Sequence, residues 1–294
     1  QLFTMIEVVD TFLDFLVRYP VLPALFFVYC SACAVPIVIL LIAVQKCALH
    51  RNCRYLITFW CISLLGELSN VVLLNAENLV NEKGYIPRGI IDPPLRPYFL
   101  IFHSTFYASG SCFEMLIAFE RILSTREPHV YHVSGVYWAL LVPLTISVYC
   151  LGTYIGYTIY IVGNHISGLM IYNAIDISTL VINTFGIRYC KARYESLYGK
   201  ASLNARYQVS EAYDMACAMH PVYFVSFLLK VFGMIIAYTY ILLMPYFNTE
   251  IYALMDAGYF LAHSFNCAFS SVFLMFLHKP IRKSVLTLLG SKRL

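Results

Sequence analysis

Glu114, Glu120 and Arg121 close a segment, Tyr98 to Leu123, that is otherwise almost free of charge. An acid directly followed by an arginine can form a charge-assisted, bidentate ion pair, a latch that holds until something competes for either partner. Position alone leaves two readings of Glu120 and Arg121: ions that mark a helix end where water begins, or such a latch. Lys230 is the second candidate, because an ionisable group inside an apolar block is a functional candidate by default. It lies eight residues beyond Val222, and Glu114 nine before Leu123. On helices both would then sit about 12 to 14 Å from the same end of a bundle. The expectation is a Glu114–Lys230 salt bridge; pairing with Glu67, or a side chain that snorkels to the interface, are the alternatives. Since Glu114 is two helical turns before Arg121 on one face, the link would act as a conformational lock.

A binding role is the natural reading of a third group: Phe102, His103 and Phe106, then Tyr172 and Asp176, Tyr238, and finally Asp256, Tyr259 and His263. Aromatics with a few polar groups line small-molecule sites between helices, although an aromatic stripe also serves plain packing. Asp176 would favour a cationic or hydrogen-bonding ligand unless the protein itself satisfies it. No paired aspartates, metal-ligand cluster or nucleophile with a base stands out, so neither an enzyme nor a metal or cofactor is expected. The 10 cysteines fall mostly within apolar blocks, where a reduced thiol packs as a small hydrophobe. Cys47, Cys53 and Cys190, at block ends, also permit S-palmitoylation.

The elements that must position these residues follow from composition. The chain has 294 residues, 60% apolar and 12% charged, against about 25% charged in soluble domains. The apolar residues come in blocks of helix-spanning length, at 21–44, 56–74, 98–123, 136–162, 169–189, 222–244 and 251–277; backbone amides cannot stay unpaired in lipid, so each block is expected to be an α-helix. The fold class is therefore all-α: a seven-transmembrane bundle in a lipid bilayer, with residues 1–20 as an N-terminal segment and 278–294 as a tail. In that tail Ile281, Val285, Leu288 and Leu289 share one face opposite Arg282 and Lys283, which suits a short amphipathic helix on the inner leaflet.

Direction follows from the basic residues of the short connectors. With the C-terminus inside, fifteen of the 20 Lys and Arg lie on the cytoplasmic side, so the N-terminus is expected outside and Glu120–Arg121 inside. The formal net charge of +4 is scattered rather than clustered, which argues against nucleic acid as a partner. "QLFTMIEVVDTFLDF" has no basic n-region, so the first span is expected to direct insertion itself. The long connector from Ala76 to Pro97 is an outer loop, a lid or a plain link; that from Cys190 to His220 is expected to extend the fifth and sixth helices inward.

Seven helices, an outside N-terminus and an acid–Arg pair at the inner end of the third span resemble the G-protein-coupled receptor layout. "FERILST", Phe119 to Thr125, "LNARYQVSEAYDM", Leu203 to Met215, and "LHKPIRKSV", Leu277 to Val285, are similar to motifs of nematode serpentine chemoreceptors, particularly the Sre class and its Srab relatives. The resemblance implies a chemosensory (olfactory) receptor in the plasma membrane, in sensory neurons the ciliary membrane. It would bind a small molecule in its outer half and signal to a heterotrimeric G protein through Glu120, Arg121, Arg206 and Tyr207. The sequence departs from the rhodopsin-like pattern: it has Glu-Arg-Ile, no Asn-Pro-x-x-Tyr in the last span, and no Cys pair placed to join the third span to the second outer loop. The alternative is a seven-span transporter or ligand-gated channel, against which stand the lack of self-similar halves and the charge asymmetry. The motifs are silent on oligomeric state.

Overall fold

The computed structural model describes residues 11, 14–81, 84–86, 95–126, 136–197, 202–243 and 249–290. Among them the regular structure is entirely helical: α1 (Val21–Lys46), α2 (Arg51–Val80), α3 (Arg96–Arg126), α4 (Val136–Tyr160), α5 (His165–Leu197), α6 (Leu203–Leu243), α7 (Thr249–Leu277) and α8 (Lys279–Leu288). Local chemistry sets several boundaries. The imidazole Nδ1 of His50 accepts the Asn52 N–H at 3.3 Å and caps α2. Gly163, with φ of 77°, takes the left-handed conformation that turns the chain between α4 and α5. Pro280 lies in the first turn of α8, where its missing N–H costs nothing.

Six helices, α1, α2, α4, α5, α6 and α7, are long and apolar enough to cross a membrane. They are also the six that form a ring, each packed on the next, with α7 closing against α1. The chain is an integral membrane protein: Leu25, Val28, Leu140, Ile146, Phe232 and Ile235 point outward and are exposed, an apolar surface that suits lipid and not water.

α3 is the exception in composition because it is the exception in position. It runs through the middle of the ring, against α2, α4, α5 and α6, and its polar residues His103, Ser104, Ser111, Glu114, Glu120 and Arg121 are buried there. Tyr98, Phe102, Phe119 and Leu123, with Arg126 at the helix end, are its exposed residues. A helix whose neighbours are protein does not need an apolar circumference. With 31 residues it is about 46 Å long.

Close approach of α4 to α3 depends on a small-residue pair four apart, Gly152 and Gly156. A Cβ on Gly152 would lie 2.6 Å from the Thr105 carbonyl oxygen, and one on Gly156 2.9 Å from Ser104 Cβ. Backbone of the central helix cannot yield, so this is a G-x-x-x-G contact of the kind that packs membrane helices. Gly152→Leu is expected to destabilise the bundle by roughly 1 to 3 kcal/mol, read as a lower melting temperature in bilayer discs. Gly110→Ala, whose Cβ would meet Leu64 at an ordinary 3.9 Å, should melt with the native chain.

The helices extend beyond the apolar blocks. α6 begins at Leu203 and runs 41 residues through Pro221, so most of the connector placed between the fifth and sixth blocks is helix, as expected of inward extensions. In α8, Ile281 is fully buried and Val285 and Leu288 pack on the core; Leu289, expected on the same face, is 67% exposed and lies past the helix end. All 10 cysteines are free thiols. Cys47, Cys53 and Cys190 are buried, which removes the surface access that acylation requires. Of the long connector from Ala76 to Pro97, the start is the end of α2 and Arg96 begins α3, while 82–83 and 87–94 lie outside the described residues.

Candidate functional site

At the end of the bundle where α4 turns into α5, a cavity of about 400 Å³ opens between α3, α5, α6 and α7. Leu100, Ile159, Leu169, Ala237 and Ile241 make its apolar wall. His103, Ser104, Tyr107, Tyr172 and Tyr259 bring the polar groups, and His165 stands at the turn. Tyr107 and Tyr172 are the last lining residues along α3 and α5, so they form its floor. The Tyr172 hydroxyl donates to the Ser104 carbonyl at 3.3 Å, and the Tyr107 hydroxyl donates to Asp176 Oδ2 at 3.1 Å.

Below this floor lies a buried ionic hub. Lys230 Nζ is 2.8 Å from Glu114 Oε2 and 3.3 Å from Asp176 Oδ1, and it donates to Ser111 Oγ at 2.8 Å. Glu114 Oε1 accepts from Trp60 Nε1 at 3.3 Å and from Ser226 Oγ at 3.5 Å, and Asn266 Nδ2 donates to Ser226 Oγ at 3.2 Å. One carboxylate thus gathers α2, α6 and, through Asn266, α7 onto α3. The expected Glu114–Lys230 bridge is present, with Asp176 as an unforeseen third member. Glu67 is instead 3.7 Å from His263 Nδ1, and Lys230 does not snorkel: it is 5% exposed.

At the far end of α3, Glu120 and Arg121 form an ion pair, with side chains only 7% and 3% exposed. The neighbours of α3 bury the pair. His50 Nδ1 lies 3.9 Å from Glu120 Oε1, and the His50 backbone N–H donates to Glu211 Oε1 at 2.9 Å. The α1–α2 hinge therefore joins α3 to α6. Tyr223, 2% exposed, shares a small gap with Arg121 and Asn183.

His278, between α7 and α8, is 2% exposed. Burial, and then the Arg121 charge, push its imidazole down from 6.5 to about 4. A base whose folded pKa is depressed binds its proton in the unfolded chain first, so stability is full above about 6.5 and falls as the pH drops towards about 4. The loss attributable to this group is on the order of 3 kcal/mol. Melting curves between pH 7 and pH 4 check it: His278→Leu should flatten the pH dependence of the native chain.

The cavity takes in His103, Tyr172 and Tyr259 from the expected binding set and leaves out the others. Phe102 faces outward, 57% exposed. Phe106 packs between Gly66 and Tyr149, and the Tyr238 hydroxyl accepts from Asn173 Nδ2 at 2.9 Å. Asp176 belongs to the Lys230 hub. Asp256 is fully buried and accepts from the Tyr85 hydroxyl at 3.0 Å, and His263 sits behind Tyr107 and Tyr259. These six lie outside the cavity for one reason: on a helix, aromatic spacing fixes a face but not which neighbour that face meets. Arg206 and Tyr207 line a separate groove of about 260 Å³ with Tyr194 and Leu197, away from Arg121. Tyr107, Ser111, Trp60, Ser226, His50, Glu211 and His278 were not anticipated. Tyr107 alone carried a signal, standing seven residues before Glu114, which stands seven before Arg121.

A scan against protein-family models finds no family that matches the chain, and a search of curated proteins finds no match either. Among the described residues no His, Cys, Asp and Glu cluster is placed to hold a metal ion.

Proposed function

We propose that the chain is a G-protein-coupled chemosensory receptor of seven membrane spans, α1 to α7, with the cavity outside and the Glu120–Arg121 pair inside. A small molecule in the cavity is the input and a heterotrimeric G protein at the inner ends of α3, α5 and α6 reads the output. The groove at Arg206 and Tyr207 lies on that docking face. The reading rests on the motifs at Phe119–Thr125, Leu203–Met215 and Leu277–Val285 and on the excess of basic residues on the inner side.

The observation that carries it is the stripe of α3. Tyr107 at the cavity floor, Glu114 in the hub and Arg121 in the ion pair are two turns apart in succession, about 10 Å each. The hydrogen bond from Tyr107 to Asp176 and the bridge of Lys230 to Glu114 join the upper two levels. A ligand that shifts Tyr107 changes the contacts that hold α5 and α6 to α3, and buried, discretely packed contacts switch between states rather than deform gradually. Release of Arg121 from Glu120 then offers a cation to the G protein.

Nucleotide exchange on purified heterotrimeric G protein, with the chain in bilayer discs and a chemical panel applied, tests this. Dose-dependent exchange that Arg121→Ala abolishes is the expected result. Ligand-gated current without any G protein would instead make the chain a channel.

A further inference from the structure

Resting on that reading of the cavity, we infer that its ligand is a neutral molecule bearing a hydroxyl group, recognised as a hydrogen-bond donor by the phenolic oxygens of Tyr107 and Tyr172. Charge comes first. None of the described residues that line the cavity is Asp, Glu, Lys or Arg. Asp176 lies behind Tyr107 and is engaged by Tyr107 and Lys230; Asp256 is engaged by Tyr85. An ammonium ligand would thus be desolvated without a counter-charge in contact, and a carboxylate ligand would meet no permanent cation, only the imidazoles of His103 and His165, since Lys230 is held by Glu114 and Asp176. Either burial is strongly unfavourable.

Polarity at the floor then discriminates among neutral ligands. Each phenol has one proton, and both protons are committed inward, from Tyr107 to Asp176 at 3.1 Å and from Tyr172 to the Ser104 carbonyl at 3.3 Å. What each oxygen retains is acceptor capacity. A hydroxyl supplies the matching proton; a ketone or ester has none to give these two oxygens, and to be held by them would have to take a phenolic proton from Asp176 or from the Ser104 carbonyl. Elsewhere in the lining, Leu100, Ile159, Leu169 and Ile241 fit a carbon skeleton, and His103, Tyr160, His165, Tyr252 and Tyr259 add further polar groups; a volume of about 400 Å³ is at the small end for ligand sites. Donation into the Tyr107 oxygen also strengthens that phenol's own bond to Asp176, so a hydroxyl ligand acts directly on the hub.

The test is direct binding to the purified full chain in phosphatidylcholine discs, without G protein. The probes are sets of alcohols with the ketone, protonated amine and carboxylate of matching skeleton, for example α-methylbenzyl alcohol, acetophenone and α-methylbenzylamine. Alcohols are expected to bind at least about fivefold tighter than their ketones, the worth of one hydrogen bond, with charged analogues weaker again. Tyr107→Phe and Tyr172→Phe should each erase most of the alcohol preference while melting without ligand near the native temperature. If Tyr107→Phe unfolds through loss of its Asp176 contact, Tyr172→Phe, which gives up only a backbone contact, still decides. Tightest binding by amines or carboxylates, equal binding of ketones, binding by no alcohol, or a preference that survives Tyr172→Phe overturns the inference. Because no G protein is present, alcohol selectivity can stand while the receptor reading fails, and the converse.

Discussion

Lys230→Met is expected to destabilise the bundle by roughly 3 to 5 kcal/mol, the cost of leaving buried carboxylates without their cation. Methionine keeps the length and apolar body of the side chain, so packing is nearly preserved and the loss is electrostatic. Both Glu114 and Asp176 face Lys230, so neutralising one of them restores only part of the stability. The triple change Lys230→Met, Glu114→Gln, Asp176→Asn should recover most of it, because polar isosteres replace every ion. Melting temperature in discs and yield at the cell surface are the readouts. A plain exchange, Glu114→Lys with Lys230→Glu, is expected to fail, since Lys230→Glu sets a carboxylate against Asp176. Full rescue by that exchange would show that Asp176 takes no part.

The second large effect is expected from Glu120→Gln. The amide matches the carboxylate in shape but removes the charge that holds Arg121, and both side chains are buried in the closed bundle. The penalty falls on the state in which Arg121 stays inside, and states that expose the guanidinium gain by difference. A relative shift of roughly 1 to 3 kcal/mol multiplies the open population about 5-fold to 150-fold. Ligand-independent nucleotide exchange should rise by that order, whereas Arg121→Ala should show none. A fall in stability with no rise in basal exchange would mean that the two ions only mark the end of α3.

Much of this was legible in the sequence because the bilayer permits few backbone solutions. The seven apolar blocks become helices α1 to α7, and a helix runs furthest past its block at the start of α6, which begins at Leu203 and continues through Pro221, the inward extension expected of the connector from Cys190 to His220. The Glu114–Lys230 bridge was also readable, since depth along two helices from a shared end is arithmetic. Lateral placement was not. Asp176 appeared to belong to a binding surface, and only the packing of α5 on α3 puts it beside Lys230; Phe102 and Phe106 share a helix with His103 but face lipid and α4. The role of Gly152 and Gly156 was present as a spacing and gains meaning only when the Thr105 backbone is seen 2.6 Å from where a Cβ would stand. Burial of Glu120–Arg121 likewise depends on α3 being packed against α2, α4, α5 and α6.

That enclosure makes α3 the least apolar of the seven, and the whole account depends on its crossing the bilayer with Tyr107 and Arg121 towards opposite faces. Single cysteines at the exposed ends of α3, Leu95→Cys and Arg126→Cys, treated with a membrane-impermeant thiol reagent on intact cells, measure this directly. Leu95→Cys should label from outside and Arg126→Cys only after permeabilisation. Labelling of both positions from the same side would contradict the account.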